Sequence, residues 1–259
     1  MSRSPLSQTC RDPGAVLWLW PGQAIYHGPA LDLEAHSGSV ACLAIGLDDV
    51  FTVQTRGRPV QTARSALIAP RLTHRLVARG DRMLFCYLDP SSSRPLACER
   101  RMTSGDSDLG LAHREERLLI RYAPRPGSVT SASNWLDLAA PRGPVQIDAR
   151  IQDAVARLRA EVHRTVSAEE LAIGCGLSTS RFLHLFPAHT GTSFRRYRLW
   201  TRMLRVAELI AERRDLTTAA ADAGFASPSH FSEAFHRMFG LQPSRLLAAG
   251  VTVIDATAR

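Results

Sequence analysis

Apolar residues between positions 15 and 90 come in short runs: "AVLWLW" at 15–20, "ALDLEA" at 30–35, "VACLAIGL" at 40–47, "VFTVQT" at 50–55, "SALIAP" at 65–70 and "RMLFCYL" at 82–88. Turn signals separate them at Pro21-Gly22, Ser37-Gly38, Asp48-Asp49, Gly57-Arg58-Pro59, Ala69-Pro70 and Gly80-Asp81. Short strands interrupted about every 8–12 residues predict an antiparallel barrel or sandwich. From 91 to 147 the pattern is mixed. Leu111, Leu118, Leu119 and Tyr122 predict a helix over 111–122, and a shorter one is expected near 133–140. "PRPG" at 124–127 and "PRGP" at 141–144 punctuate this stretch, and the second marks a domain boundary.

Beyond that boundary the periodicity is wholly helical. Asp148 is placed to cap a helix whose Ile151, Val155, Leu158 and Val162 form one stripe. Ser167 and Glu170 have the spacing of a capping box, the short helix they open ends at Gly176, and Ser178 caps the next. Two short helices joined by a glycine-containing turn predict a helix–turn–helix unit. A long helix follows over about 192–213, and then "LTTAAADAGFASPSHF" repeats the arrangement, with Gly224 in the turn, Ser227 as cap and Pro228 at the first helical position. The second half is therefore an internal repeat joined by one long helix.

Composition narrows the reading. At 259 residues, 45 % apolar and 22 % charged, the chain has room for two folded domains. Its longest apolar runs are too short to span a bilayer, and Pro13, Gly14, Pro21 and Gly22 interrupt any secretory h-region, so a cytoplasmic location with no membrane partner is expected. The five cysteines contain no C-x-x-C pair and are expected to be buried reduced thiols. Net charge is +8, and all 32 basic residues are arginine. Eight of those arginines fall within residues 181–214 against only Glu208 and Glu212.

Winding the helices shows where that charge sits. On the first recognition helix Phe182, Leu185 and Phe186 face inward, leaving Ser180, Arg181 and His184 outside. Slim hydrogen-bonding residues near a helix N-terminus suit entry into a major groove, where Arg181 can fork onto a guanine; a solvated face is the alternative. On the second, Phe231, Ala234, Phe235, Met238 and Phe239 face inward, and Ser229, His230, Ser232, Glu233, His236 and Arg237 face outward. Glu233 either accepts from a cytosine amine or pairs with Arg237 one turn on. On the joining helix Arg195, Arg198, Arg202 and Arg205 lie in one stripe, which predicts contact with phosphates unless the stripe is simply solvated.

Residues 165–247 resemble the DNA-binding domain of the AraC/XylS family of bacterial transcription regulators, through "SAEELA", "GLSTSRFLHLF", "SFRRYR" and above all "GFASPSHFSEAFHRMFGLQPS". The resemblance implies two helix–turn–helix units on a rigid linker helix, reading duplex segments about 34–36 Å apart. The family's base-facing positions fall on Ser180, Arg181, His184, Ser229, His230, Ser232 and Glu233. Four positions depart from the family pattern. Pro187 replaces a basic residue, Ala219 and Ala223 replace larger apolar ones, and Leu247 stands in the place of an arginine. "ALIAPRLTHRL" and "MLFCYLDP" resemble the family's cupin-type sensor barrel. His74 matches a cupin histidine and only His36 remains of the first motif, so these two are expected as pocket residues and not as a metal site.

The sequence thus leads to a multidomain α+β chain. Residues 1–100 are expected to form a cupin-like ligand-sensing antiparallel β-barrel, 101–147 a helical linker or dimerisation segment, and 148–259 an all-α DNA-binding domain with two helix–turn–helix units. The expected function is sequence-specific transcription regulation without catalysis, cofactor or metal. The expected partners are double-stranded DNA, a small-molecule effector, a second copy of the chain and, for an activator, RNA polymerase. The alternative is a cupin-fold, metal-dependent enzyme with a DNA-binding appendage.

Overall fold

The computed structural model describes residues 14–144 and 147–257; Cys10 lies outside them. The first strands are β1 (Val16–Trp20), β2 (Gln23–Pro29), β3 (Cys42–Gly46), β4 (Phe51–Thr55), β5 (Gln61–Ala63), β6 (Ser65–Ile68), β7 (His74–Ala78) and β8 (Arg82–Tyr87). Helix α1 (Arg94–Glu99), strands β9 (Met102–Gly105) and β10 (Leu109–His113), and helices α2 (Glu116–Arg121) and α3 (Val129–Ala139) follow. The remaining elements are α4 (Ala149–Ala160), α5 (Ala168–Gly174), α6 (Thr179–Thr190), α7 (Phe194–Ala211), α8 (Leu216–Asp222), α9 (Pro228–Phe239), α10 (Pro243–Ala248) and β11 (Thr252–Asp255).

Eight strands form one sheet in the order β11-β1-β2-β8-β3-β6-β10-β9, and β5-β4-β7 form a second. Alternation in the central strands decides what each face meets. Leu43 and Ile45 of β3, with Leu84 and Cys86 of β8, point to one side, where Cys98, Leu119, Trp135 and Leu136 of the helical cover pack on them. Ala44, Met83 and Phe85 point to the other side and share a core with Phe51, Val53 and Leu76 of the small sheet. The cover is fixed by polar anchors as well. The Trp135 indole donates to the Leu119 carbonyl at 2.9 Å, and buried Arg94 donates to the Leu136 and Ala140 carbonyls and pairs with Asp137 at the end of α3.

In the first half of the chain four expectations change. "ALDLEA" is not a strand: it crosses between β2 and β3 with Leu33 buried, and its nearest ladder contact is an isolated bridge between His36 and His74. The apolar spacing of 111–122 covers two elements, because Leu111 is taken into a ladder between Ala66 and Ser104 and only Glu116–Arg121 is helical. The helix expected near 133–140 starts earlier, at Val129, where Ser128 accepts from the Ser131 N–H as its cap. The sheet also runs past residue 100 through β9 and β10.

The C-terminal half does not stay helical. After Gly250, the β-branched Thr252, Val253 and Ile254 return to the first domain and pair parallel with Val16, Leu17 and Trp18. β1 would otherwise be an edge with unpaired backbone groups, and the chain's own last strand covers it. An acidic residue in place of Ile254, which packs against the core beneath the sheet, is therefore expected to lower unfolding stability by about 1–3 kcal/mol. Urea titration of Ile254→Asp measures this, with the exposed Thr257→Ala as a control that should change little.

Candidate nucleic-acid interface

The two helix–turn–helix units are built by the same local chemistry. Ser167 and Glu170 form a complete capping box on α5, and the Asp215 side chain accepts from the Thr218 N–H to cap α8. Ser178 accepts from the Arg181 N–H and Ser227 from the His230 N–H, so α6 and α9 begin alike. Both are 12 residues long and both end at a left-handed glycine, Gly191 and Gly240. α6 runs through Pro187 to Thr190, so the missing N–H at Pro187 does not end the helix. Phe182, Phe186, Phe194 and Tyr197 lock the first unit through ring contacts of 5.6–5.9 Å. In the second, Phe225, Phe231, Phe235 and Phe239 form a chain with centroids 4.6–5.7 Å apart.

This packing leaves Ser180, Arg181 and His184 exposed on α6, and Ser229, His230 and Glu233 exposed on α9, with Ser232 half-buried. The Arg181 guanidinium has no partner among the described residues. Glu233 pairs with Arg237 at 3.1 Å, both side chains largely in solvent, and the His230 ring meets the edge of Phe225 at 5.7 Å.

The arginine stripe is different from a free cationic face. Arg195 is exposed, but Arg198 donates to the Val166 carbonyl at 3.0 Å and lies over the Phe194 ring. Arg202 is only 9 % exposed, donates to the Thr165 hydroxyl at 3.0 Å, and fills the space above Gly224. Burial, and then a neighbouring arginine, lowers the pKa of both Arg198 and Arg202. Arg205 pairs with Glu208 at 3.1 Å and Glu212 at 3.4 Å. The expected need for an outside anion along the whole stripe is therefore largely met inside the protein. A helical wheel gives angle, not neighbours, and Thr165 and Val166 lie more than thirty residues away in sequence.

Sequence reasoning did not find the residues that tie the helices to the β-rich domain. Arg196 donates to the Ser37 and Gly38 carbonyls at 3.2 and 3.0 Å, and the Trp200 indole to the Gly22 carbonyl at 2.8 Å. Arg159 of α4 pairs with Asp89 at 2.6 Å. At the end of α9 the Ser37 and Glu34 N–H groups donate to the Arg237 and Gly240 carbonyls at 3.1 and 2.8 Å. Helix C-termini leave such carbonyls without internal partners, so here the β-rich domain supplies the cap. No signal within either half predicts pairings that exist only once both have folded.

His36 and His74 face each other with ring centroids 4.3 Å apart. Each aims its Nδ1 at a carbonyl of its own segment, Glu34 at 2.8 Å and Leu72 at 2.9 Å. Burial lowers both pKa values, and for His74, with His36 as the second cause, to about 4. Among the described residues no group of three or more His, Cys, Asp or Glu side chains is gathered as a metal site requires.

Two tandem helix–turn–helix units fused to a β-rich domain define a class of two-domain, DNA-binding-type architecture. Residues 171–249 match a family model described as a helix-turn-helix domain. The chain is 36 % identical over 85 residues to the "Probable transcriptional regulator LumQ" of Photobacterium leiognathi, covering 32 % of this chain and 34 % of that protein. It is 31 % identical over 105 residues to the HTH-type transcriptional activator RhaS of Escherichia fergusonii, covering 40 % and 38 %. The matched segment thus spans little more than a third of these relatives. The fold is similar to that of wild-type ToxT from Vibrio cholerae solved with an unsaturated fatty acid bound, with TM-score 0.53, 12 % identity, and 87 % and 94 % of the two chains covered. Residues 171–249 therefore carry a helix-turn-helix domain similar to those of these transcription regulators.

Removing a buried, internally bonded guanidinium costs more than removing an exposed one. Arg202→Ala is expected to lower stability by about 1–3 kcal/mol and Arg195→Ala by less than about 0.5 kcal/mol, read by chemical denaturation. The histidine pair predicts a pH dependence. His74 stays neutral in the folded state down to about pH 4, whereas its unfolded form takes up a proton near 6.5. Its contribution is fully present above 6.5 and is lost as pH falls toward 4, by up to about 3 kcal/mol. His74→Gln should flatten the dependence of the unfolding midpoint on pH across that window.

Proposed function

We propose that this protein is a sequence-specific transcription regulator that reads double-stranded DNA with α6 and α9 and answers to a small molecule held by its N-terminal half. The observation that carries the reading is the pair of equally capped, equally long helices whose outward N-terminal turns present small polar residues and one unpaired arginine. Arg181, Ser180 and His184 read one groove segment, and Ser229, His230, Ser232 and Glu233 the next. Arg195 is the phosphate contact of the stripe; Arg198, Arg202 and Arg205 hold α7 in position and reach phosphate only by giving up internal partners. The fatty acid in the ToxT structure supports an effector role for a domain of this fold. RNA polymerase is a partner where the protein activates. A homodimer would use the cover helices, where Leu96, Leu118 and Tyr122 are exposed.

Selection of bound sequences from random duplexes tests this directly. With the selected site in hand, Arg181→Ala should cost about 1–3 kcal/mol and relax preference at one base pair, whereas Arg195→Ala should weaken all sites alike and flatten the salt slope by about one charge. Equal losses for Arg181→Ala on selected and scrambled DNA would remove its base-reading role.

A further inference from the structure

Residues 34–38 are held from two sides by different parts of the molecule. On one side His36 and His74 exchange backbone hydrogen bonds of 2.9 Å along the edge of β7 that β4 does not cover. On the other, the Glu34 and Ser37 N–H groups cap the end of α9, and the Glu34 carboxylate meets the His236 ring at 3.2 Å. The His36 ring abuts the same turn, because a Cβ on Gly240 would lie 2.7 Å from its Nδ1. A carbonyl can only accept, so in His36 and His74 alike Nδ1 carries the proton and Nε2 is bare. Neither Nε2 has a hydrogen-bond partner among the described residues. The two residues are 7 % and 4 % exposed, and about 10 Å³ is open beside them, room for at most one water. A proton arriving on either Nε2 thus makes an unpaired cation against the other ring.

The surrounding charges do not compensate such a cation. Arg196 of α7 donates to the Ser37 and Gly38 carbonyls, Arg71 gives its backbone N–H to Gly38, and Arg75 beside His74 faces Asp32 at 3.9 Å. α9 brings His236 and Arg237, the latter paired with Glu233. Cys42 of β3 and Tyr87 of β8, beneath the rings, are kept neutral by burial. Glu34 is turned outward to His236, its side chain 70 % exposed.

We infer that residues 34–38 form a pH-sensitive clasp: neutral His36 and His74 hold the end of α9 to the β-rich domain, and their protonation releases it. Lifting the segment breaks the isolated bridge and the α9 caps, while both sheets and the flanking buried Leu33 and Val40 keep their places. In the lifted segment the rings take up protons near 6.5. In the closed one burial holds both lower, with His236 as a further cause for His36, and His36 for His74, which falls to about 4. Closure therefore releases protons; it is fully favoured above 6.5 and weakens as pH falls toward 4. The His236–Glu34 pair has the opposite sign, since a protonated ring attracts the carboxylate, but it is solvent-exposed and weak. On release α9 keeps its apolar packing through Phe231 and Met238 and loses the ties that orient it. The consequence for duplex reading rests on the proposed function.

Hydrogen–deuterium exchange of the full chain near pH 7.5 and near pH 5, corrected for intrinsic rates, tests the clasp. Protection of the Glu34 and Ser37 amides should fall about tenfold or more, while that of β3 and β8 stays unchanged. The double variant His36→Gln, His74→Gln should lose this difference, and His236→Gln should keep it. If the double variant does not fold, ring-nitrogen NMR of the unaltered chain decides. His36 and His74 should then show the Nδ1–H tautomer near pH 7.5 and protonate in step with the loss of protection. Equal protection at both pH values, a parallel loss across β3 and β8, a difference that persists in the folded double variant, or rings that protonate without loss of protection would each overturn the clasp. Preference for a selected duplex over a scrambled one should also fall with acid in the unaltered chain and less in the double variant; an equal fall in both overturns the clasp's part in duplex reading. A chain that selects a duplex but keeps 34–37 equally protected overturns only the clasp. One whose clasp opens with acid but that selects no duplex overturns only the regulator reading.

Discussion

The second helix–turn–helix unit does not close a core of its own. Trp200, Leu204, Ala220, Phe231 and Met238 pack in one cluster with Leu19, Ala24 and Val40 of the β-rich domain. The first unit is self-sufficient, with Ile151, Leu158, Leu171, Phe182 and Phe186 enclosed among themselves and Tyr197. α7 divides between the two: Phe194 and Tyr197 serve the first core, and Trp200 to Leu209 the second. One helix therefore sets the distance between the recognition helices, and the β-rich domain sets the placement of α9. Removing water from this shared apolar surface, at about 25 cal/mol per Å², is the interaction on which the two-domain arrangement depends.

Polar contacts then fix its orientation. Apolar burial is non-directional, but the carbonyls at the end of α9 require donors, and they find them in the backbone of Glu34 and Ser37. Gly240 is required there twice. Its φ of +74° is left-handed, and a Cβ would come within 2.5 Å of the Glu34 carbonyl oxygen. Arg196 grips the same loop from α7, and β11 closes the opposite edge of the sheet. Each of these ties satisfies a group that its own element leaves unpaired.

What the sequence discloses follows from how local each interaction is. The caps at Ser167, Ser178 and Ser227, the glycine turns and the inward Phe231, Phe235 and Phe239 depend on neighbours within a few residues, and the periodicity carries them. β3, β4, β6 and β8 are legible for the same reason, as alternating or continuous apolar runs between turns. β2, β7, β9 and β10 are not, because mixed segments such as Gln23–Pro29 become strands only by having ladders beside them. β11 is the extreme case, since its partner lies more than two hundred residues earlier. The exposed faces of α6 and α9 are readable by winding. The fate of the arginine stripe is not, because Glu208 is local to Arg205 but Thr165 and Val166 come from a separate segment.

The unequal cores also bear on how the two halves communicate. α6 stands on its own core, so changes in the β-rich domain reach it through α7 and through the pair between Arg159 and Asp89. α9 shares side-chain contacts and backbone hydrogen bonds with that domain. Packed cores switch between discrete arrangements more readily than they deform continuously, so a rearrangement of the β-rich domain acts first on the placement of α9. The rigid α7 then converts that placement into the spacing between α6 and α9. Movement of α9, with α6 held nearly constant, is the form of rearrangement this distribution of cores permits.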